Sequence, residues 1–204
     1  MSRAPARALL VDMDGVLRRW DPAHAAGIER RYGLAPGALL ATAMAPERVR
    51  PAVLGEISHA DWMDGVGRAL GAPDAVTEWE SERGSVDPDV LGLVRAVRAA
   101  GLPVALVTNA TDRLDADLDL LGLTGELDAV VNSSELRVAK PAPAYFRHAC
   151  AAVGVEPGHC LVVEDSERVV RGAREAGLLA YRWTGPADLP YLRAALGLAA
   201  VRSP

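Results

Sequence analysis

The chain has 204 residues, 50% hydrophobic and 24% charged, enough to bury one sizeable core with room for an inserted subdomain. A formal charge of −5 leaves no basic footprint for nucleic acid, and no stretch is long and apolar enough to span a membrane. Cys150 and Cys160 lie in apolar stretches without metal-ligand spacing, so they read as reduced core thiols ahead of a disulfide.

The first apolar run, Ala8-Leu9-Leu10-Val11, is too short for a helix and has the continuous character of a strand buried on both faces. It meets Asp12 before it could become a secretory h-region, so a cytoplasmic location is expected. Asp12 and Asp14 close it, one residue apart. Residues i and i+2 of an extended segment point the same way, so both carboxylates address one site if strand geometry persists. Gly15 then lets the backbone turn tightly and approach a ligand. Paired acids can share nucleophilic and acid–base work or hold a metal; the bland alternative is a solvated strand end.

Val16 to Asp21 reads as an irregular link carrying Arg18, Arg19 and Trp20. Asp21-Pro22 marks a helix start and Gly33 its stop. From there to Gly84 the text is helical, with no convincing strand. Ser58 to Asp61 resembles a capping box, Trp62, Val66 and Leu70 follow at helical spacing, Gly71 ends that helix, and another is expected from Ala75 to Arg83. Asp87-Pro88 opens the next helix, with Val90, Leu91, Val94 and Val97 on its apolar face and Gly101 behind it. Strands are expected at Pro103–Val107, Asp128–Val131, Cys160–Val163 and Leu178–Trp183. Helices are expected from Asp112 to Leu121, from Pro141 to Val153, from Ser166 to Gly177, and from Asp188 to near Gly197. This alternation predicts a doubly wound, Rossmann-like α/β domain with a parallel sheet, formed by residues 1–16 and 85–204 and interrupted by a helical cap at 17–84.

Three of those strands end in polar chemistry: Asp12-x-Asp14, Thr108-Asn109 and Glu164-Asp165. In a parallel sheet such ends lie along one edge, where open α/β folds bind ligands. Lys140 alone could be a snorkelling surface lysine. Beside crowded carboxylates it has more to do, because unit charges ~4 Å apart interact by about 4 kcal/mol at an effective dielectric near 20. A lysine and a divalent cation would offset that repulsion and attract an anionic substrate, while the Thr108 hydroxyl and nearby N–H groups could bond phosphate oxygens.

In this order, D-M-D-G-V, L-V-T-N, K-P and E-D-S resemble the haloacid dehalogenase-like hydrolase superfamily over about Ala8 to Trp183. S-S-E-L-R-V-A-K-P-A-P-A-Y-F is similar to its third motif region and L-V-V-E-D-S to its fourth. The resemblance implies a Mg²⁺-dependent phosphatase acting on a small phosphorylated metabolite. Asp12 would be the nucleophile and Asp14 the general acid, then base. Thr108 would bind a phosphate oxygen with the Asn109 backbone nearby, and Lys140 would bridge Asp12 and the phosphoryl group. Asp12, the Asp14 carbonyl, Asp165 and Glu164, the last directly or through water, would hold Mg²⁺. Arg18 joins Thr108, Asn109 and Lys140 among the substrate-binding candidates, since a flap at Arg18 to Trp20 would face the substrate; the alternative is solvated arginines beside a packing Trp. Ala142, Val169 and Arg137 depart from the family pattern, the last where glycine is frequent, without removing a catalytic group. The alternatives are a phosphomutase with the same groups, a haloacid dehalogenase, whose branch normally lacks an acid at the position of Asp14, and a non-catalytic phosphate-binding module.

The glycines at 65, 67 and 71 do not follow a strand as a dinucleotide fingerprint would, the four histidines show no zinc pattern, and Ser166 lacks a nucleophile elbow, its expected work being to cap a helix or support the metal shell. Tyr145 and Phe146 read as helix-packing residues.

Overall fold

The computed structural model describes residues 4–198; residues 1–3 and 199–204, the outermost of the expected core, lie outside the described residues. Five parallel strands form the sheet: β1 (Ala8–Val11), β4 (Val104–Thr108), β5 (Ala129–Asn132), β6 (Cys160–Glu164) and β7 (Leu179–Arg182), in the order β5-β4-β1-β6-β7. The strand that ends in Asp12 is therefore central, flanked by β4 and β6. Successive side chains on it go to opposite faces. Leu9 and Val11 join a cluster with Val90, Val94 and Val97 of α6 (Pro88–Ala99), Leu114 and Leu118 of α7 (Leu114–Leu120), and Leu192 of α11 (Leu189–Ala195). Ala8 and Leu10 join another with Tyr145, Phe146, Ala149 and Cys150 of α9 (Pro143–Val153) and Val169 and Ala173 of α10 (Glu167–Glu175). A sheet apolar on both faces and covered on both is the doubly wound architecture that the alternation predicts.

Between β1 and α6 lie α1 (Pro22–Arg31), α2 (Ala38–Ala43), α3 (Pro46–Val53), α4 (His59–Leu70) and α5 (Pro73–Trp79). Of these, α1, α2, α4 and α5 share a separate cluster of Ile28, Leu39, Met63, Val66 and Val76. Ser58 and Asp61 form the reciprocal capping box at the start of α4, and Gly71 closes that helix in the left-handed conformation. Asp87 accepts from the Asp89 and Val90 amides to cap α6. Both cysteines are free and buried. Among the described residues no helix is long and apolar enough to cross a membrane.

The expected irregular link at Val16 to Asp21 contains a strand. Arg18–Arg19 (β2) pairs antiparallel with Ser85–Val86 (β3), so the chain leaves and re-enters the core through a two-stranded neck. No local pattern signals a pair of two-residue strands, since each exists only through its distant partner. At Gly84, φ is +72° and a Cβ would lie 2.7 Å from the Arg19 carbonyl oxygen, so glycine lets the return strand approach. Other differences are local. The helix expected over Ala75–Arg83 is α5, shifted toward Pro73, and the short α8 (Ser133–Leu136) follows β5 directly. Ser166 holds the N-cap position of α10, but its side chain caps nothing. Asp188 instead accepts from the Thr184 amide at 2.7 Å and from the Tyr181 hydroxyl at 3.0 Å.

Arg137, which follows α8, has φ +54° and an exposed side chain. A left-handed conformation costs a Cβ-bearing residue about 1–2 kcal/mol, against about 0.5–1 kcal/mol for the extra chain entropy of glycine. Arg137→Gly should therefore stabilise the fold by about 0.5–1 kcal/mol, read from the urea midpoint at unchanged slope.

Candidate functional site

Strand register brings the first, second and fourth motifs together. Val11 pairs with Leu106 on one side and Val163 on the other, which sets Asp12 level with Val107 and Glu164 at the carboxyl edge of the sheet. Lys140 reaches those same three levels. Its buried ammonium donates to Asp12 Oδ1 at 2.7 Å, Glu164 Oε2 at 2.6 Å and the Val107 carbonyl at 2.9 Å, using all three donors. It is no surface lysine.

The loop carrying Lys140 is held from β4. Asn109 accepts from the Lys140 amide at 2.8 Å and donates to the Lys140 carbonyl at 3.0 Å, so its side chain fixes the lysine's backbone. Thr108 is buried at the end of β4, level with Asn132. The Tyr145 hydroxyl donates to the Val131 carbonyl at 2.6 Å and the Thr108 carbonyl at 3.2 Å. Tyr145 therefore packs, as expected, and also ties two strand ends; its apolar spacing gave no sign of the second part.

The charges are out of balance. Burial pushes the Asp12 carboxyl up to about 7 although Lys140 works against it, and the Glu164 charge adds to the rise. Burial also penalises the Glu164 charge, but Lys140 outweighs it and holds that carboxyl below its ordinary value. Lys140 stays charged, because the two carboxylates outweigh its own desolvation. Asp165, more exposed, is raised to about 6 by partial burial and by Glu164.

Ligand atoms of Asp12, Glu164 and Asp165 all lie within 4.8 Å of one another. Three hard carboxylate oxygens and an unneutralised negative charge suit a magnesium-type cation, and no soft sulfur ligand stands among them. Glu164 is already engaged at both oxygens, by Lys140 and by the Ser166 amide at 3.1 Å, which leaves it suited to contact through water. Gly15 passes close beside this cluster: its φ is +80°, and a Cβ would sit 2.1 Å from Asp165 Oδ2.

Asp14 is only half-buried. It accepts from Arg18 Nε at 2.7 Å and Nη2 at 3.0 Å and from the Trp20 indole at 2.7 Å. Arg18, expected among the substrate-binding groups, is buried with its guanidinium between Asp14 and Asp117, the latter 2.9 Å away. The sequence carries no sign that Trp20 bonds Asp14 or that Asp117 bonds Arg18, since a helical aspartate on an Asp/Leu-rich stretch looks solvated.

The family model for haloacid dehalogenase-like hydrolases matches residues 6–177. The chain is 32% identical over 179 residues to fructose-1-phosphate phosphatase YqaB of Escherichia coli (strain K12), covering 83% of this chain and 92% of that one. It is 31% identical to a phosphoglycolate phosphatase of Pseudomonas putida over 84% of this chain and 67% of the other. In fold it is similar to a HAD family enzyme of Bacteroides thetaiotaomicron in complex with magnesium and inorganic phosphate. That likeness has a TM-score of 0.71 at 20% identity, over 87% of this chain and 93% of that one.

An acid whose folded pKa is raised keeps a proton that the unfolded chain gives up, so it lowers stability as pH climbs from the unfolded to the folded value. For Asp12 that window runs from 3.8 to about 7. Asp12→Asn leaves Lys140 paired one-to-one with Glu164. In EDTA at pH 8 it should be more stable than the native chain by about 2 kcal/mol or more, and the gap should close toward pH 4. Urea titrations at several pH values would measure it.

Proposed function

The chain belongs to the haloacid dehalogenase-like hydrolases and is a phosphoric monoester hydrolase; from this we propose that it dephosphorylates a small phosphomonoester through an aspartyl phosphate on Asp12, with Mg²⁺ as cofactor. The observation that carries this reading is the buried Lys140 ammonium, bonded at once to Asp12 and Glu164 beside Asp165.

Asp12 supplies the attacking oxygen. Its bond to phosphorus forms as the bond to the leaving oxygen breaks, and Asp14 gives that oxygen a proton. Water then attacks the same phosphorus and yields its proton to Asp14, the bond to Asp12 breaks, and phosphate departs. Thr108 and Lys140 bind the phosphoryl oxygens, while Asn109 keeps Lys140 in place. Asp12, Asp165, the Asp14 carbonyl and Glu164, the last through water, would hold Mg²⁺. When bound, the ion would neutralise carboxylate and phosphate charge. Its magnesium- and phosphate-bound fold relative supports the assignment.

Asp14 and the acidic cluster favour ester hydrolysis over dehalogenation. A phosphomutase shares every group named and would be recognised by an isomeric phosphate product with little free phosphate.

We take residues 17–84 as the cap over the 1–16 and 85–204 core, supported by their separate apolar cluster and the two-stranded neck. It touches the core beside the motifs, where Ser133 Oγ donates to the Val53 carbonyl at 2.6 Å and Asp112 accepts from the His59 amide at 2.8 Å. Replacing the cap with a short Gly/Ser linker should reorder kcat/KM across a panel of sugar and small organic phosphates more than it changes the chemistry. An unchanged ranking in a folded truncation would refute the assignment.

Chelation should abolish phosphate release from an aryl phosphate, and Mg²⁺ should restore it. Asp12→Asn should be inactive. Asp14→Asn should release a burst of nitrophenolate and then stall, with phosphate trapped on the peptide containing Asp12. Acid quench and mass spectrometry would locate it; label on Asp14, or full turnover by Asp12→Asn, would overturn the roles.

A further inference from the structure

We propose that Asp117, on a core helix outside every motif, is a positioning residue that sets the Asp14 carboxylate through Arg18; this rests on the acid–base reading of Asp14. A half-exposed carboxylate on a turn has several rotamers open to it, yet this one meets donors on both oxygens. Arg18 bonds Oδ1 through Nε at 2.7 Å and Oδ2 through Nη2 at 3.0 Å, in the planar two-point geometry that fixes orientation as well as distance. The Trp20 indole adds a third bond to Oδ1 at 2.7 Å, and the Arg18 guanidinium lies 4.4 Å from the centroid of the same indole.

Such a fork orients its target only if it is itself held, because arginine has many rotamers. The remaining edge is held by Asp117: Arg18 Nη1 donates to Asp117 Oδ2 at 2.9 Å, across 99 residues of sequence. Arg18 and Asp117 are both buried, so the pair is shielded from the water and salt that make surface ion pairs loose. Asp117 Oδ1 accepts in turn from Arg83 Nη1 at 2.9 Å, just before the return strand of the neck. Asp117 therefore braces Arg18 on the outgoing strand and Arg83 beside the incoming one. A group that must deliver a proton to a leaving oxygen and later take one from water depends on such orientation.

The test compares Asp117→Asn, Arg18→Met and their combination, with Asp14→Asn as reference, on an alkyl phosphate and on p-nitrophenyl phosphate. The alkyl leaving group needs the proton and nitrophenolate does not. Asp117→Asn and Arg18→Met should each lower kcat/KM for the alkyl ester about tenfold more than for the aryl ester. Inhibition by inorganic phosphate should stay within about twofold, and the combination should be no worse than Arg18→Met alone. Equal losses on both esters, no loss, or multiplying effects would overturn the proposal. If Asp14→Asn shows the selective loss and Asp117→Asn does not, the positioning role alone falls. If Asp14→Asn shows none, the acid–base reading fails and takes the proposal with it. Should Asp117→Asn not fold, Arg18→Lys decides: it keeps the charge but cannot span both Asp14 oxygens, so an unchanged alkyl-to-aryl ratio refutes the role.

Discussion

The site depends on one buried cation serving two buried carboxylates. Lys140 donates to Asp12, to Glu164 and to the end of β4. With all three groups ionised the assembly carries one negative charge too many: Lys140 balances Glu164, Asp12 is the excess, and burial raises its pKa to about 7. Leaving the two buried carboxylates without their shared cation would cost about 3–5 kcal/mol, so the loop bearing Lys140 has one acceptable position once β1 and β6 are paired. Asn109 and Tyr145 follow from that constraint. One holds the lysine's backbone and the other joins the ends of β4 and β5, keeping the three contacts in register.

Around this dry centre stand two more exposed acids, Asp14 and Asp165. The contrast suits the work we propose for Asp12 and Asp14. A nucleophile gains from a water-poor, preorganised setting, whereas a group that exchanges protons with a leaving group and with water needs solvent access. Exposure alone would leave Asp14 poorly aimed. Arg18, Trp20 and, behind them, Asp117 supply direction without burying it. Gly15 serves the same economy of space, since any side chain there would occupy the position of Asp165.

The neck links this chemistry to the helices above it. β2 begins four residues after Asp14, and Arg18 belongs both to that strand and to the fork on the carboxylate. Arg83 and Arg113 approach Asp117 from the cap side and from α7, and Arg113 also pairs with Glu80 at 2.7 Å. Charge pairing, more than apolar packing, therefore connects this side of residues 17–84 to the core, with the apolar cluster of α1, α2, α4 and α5 kept to itself.

What the sequence determined by itself was local. A continuous apolar run ending in acids has one economical solution, a buried strand delivering those acids to a sheet edge, so Asp12, Thr108, Glu164 and the parallel alternation were legible. So were the cap of α6 at Asp87 and the box at Ser58, because each signal lies within a few residues of the element that it starts. The order of the motifs carried the family. Only the tertiary structure decided that Lys140 has no access to solvent, that Arg18 faces a carboxylate pair, and that Arg18–Arg19 is a strand at all. Each depends on a partner between 24 and 128 residues away, or on two partners at once, and an arginine in a link or an aspartate on a helix reads the same whether paired or solvated. Pairing at that distance is set by how the sheet closes, and the residues themselves carry no local mark of it.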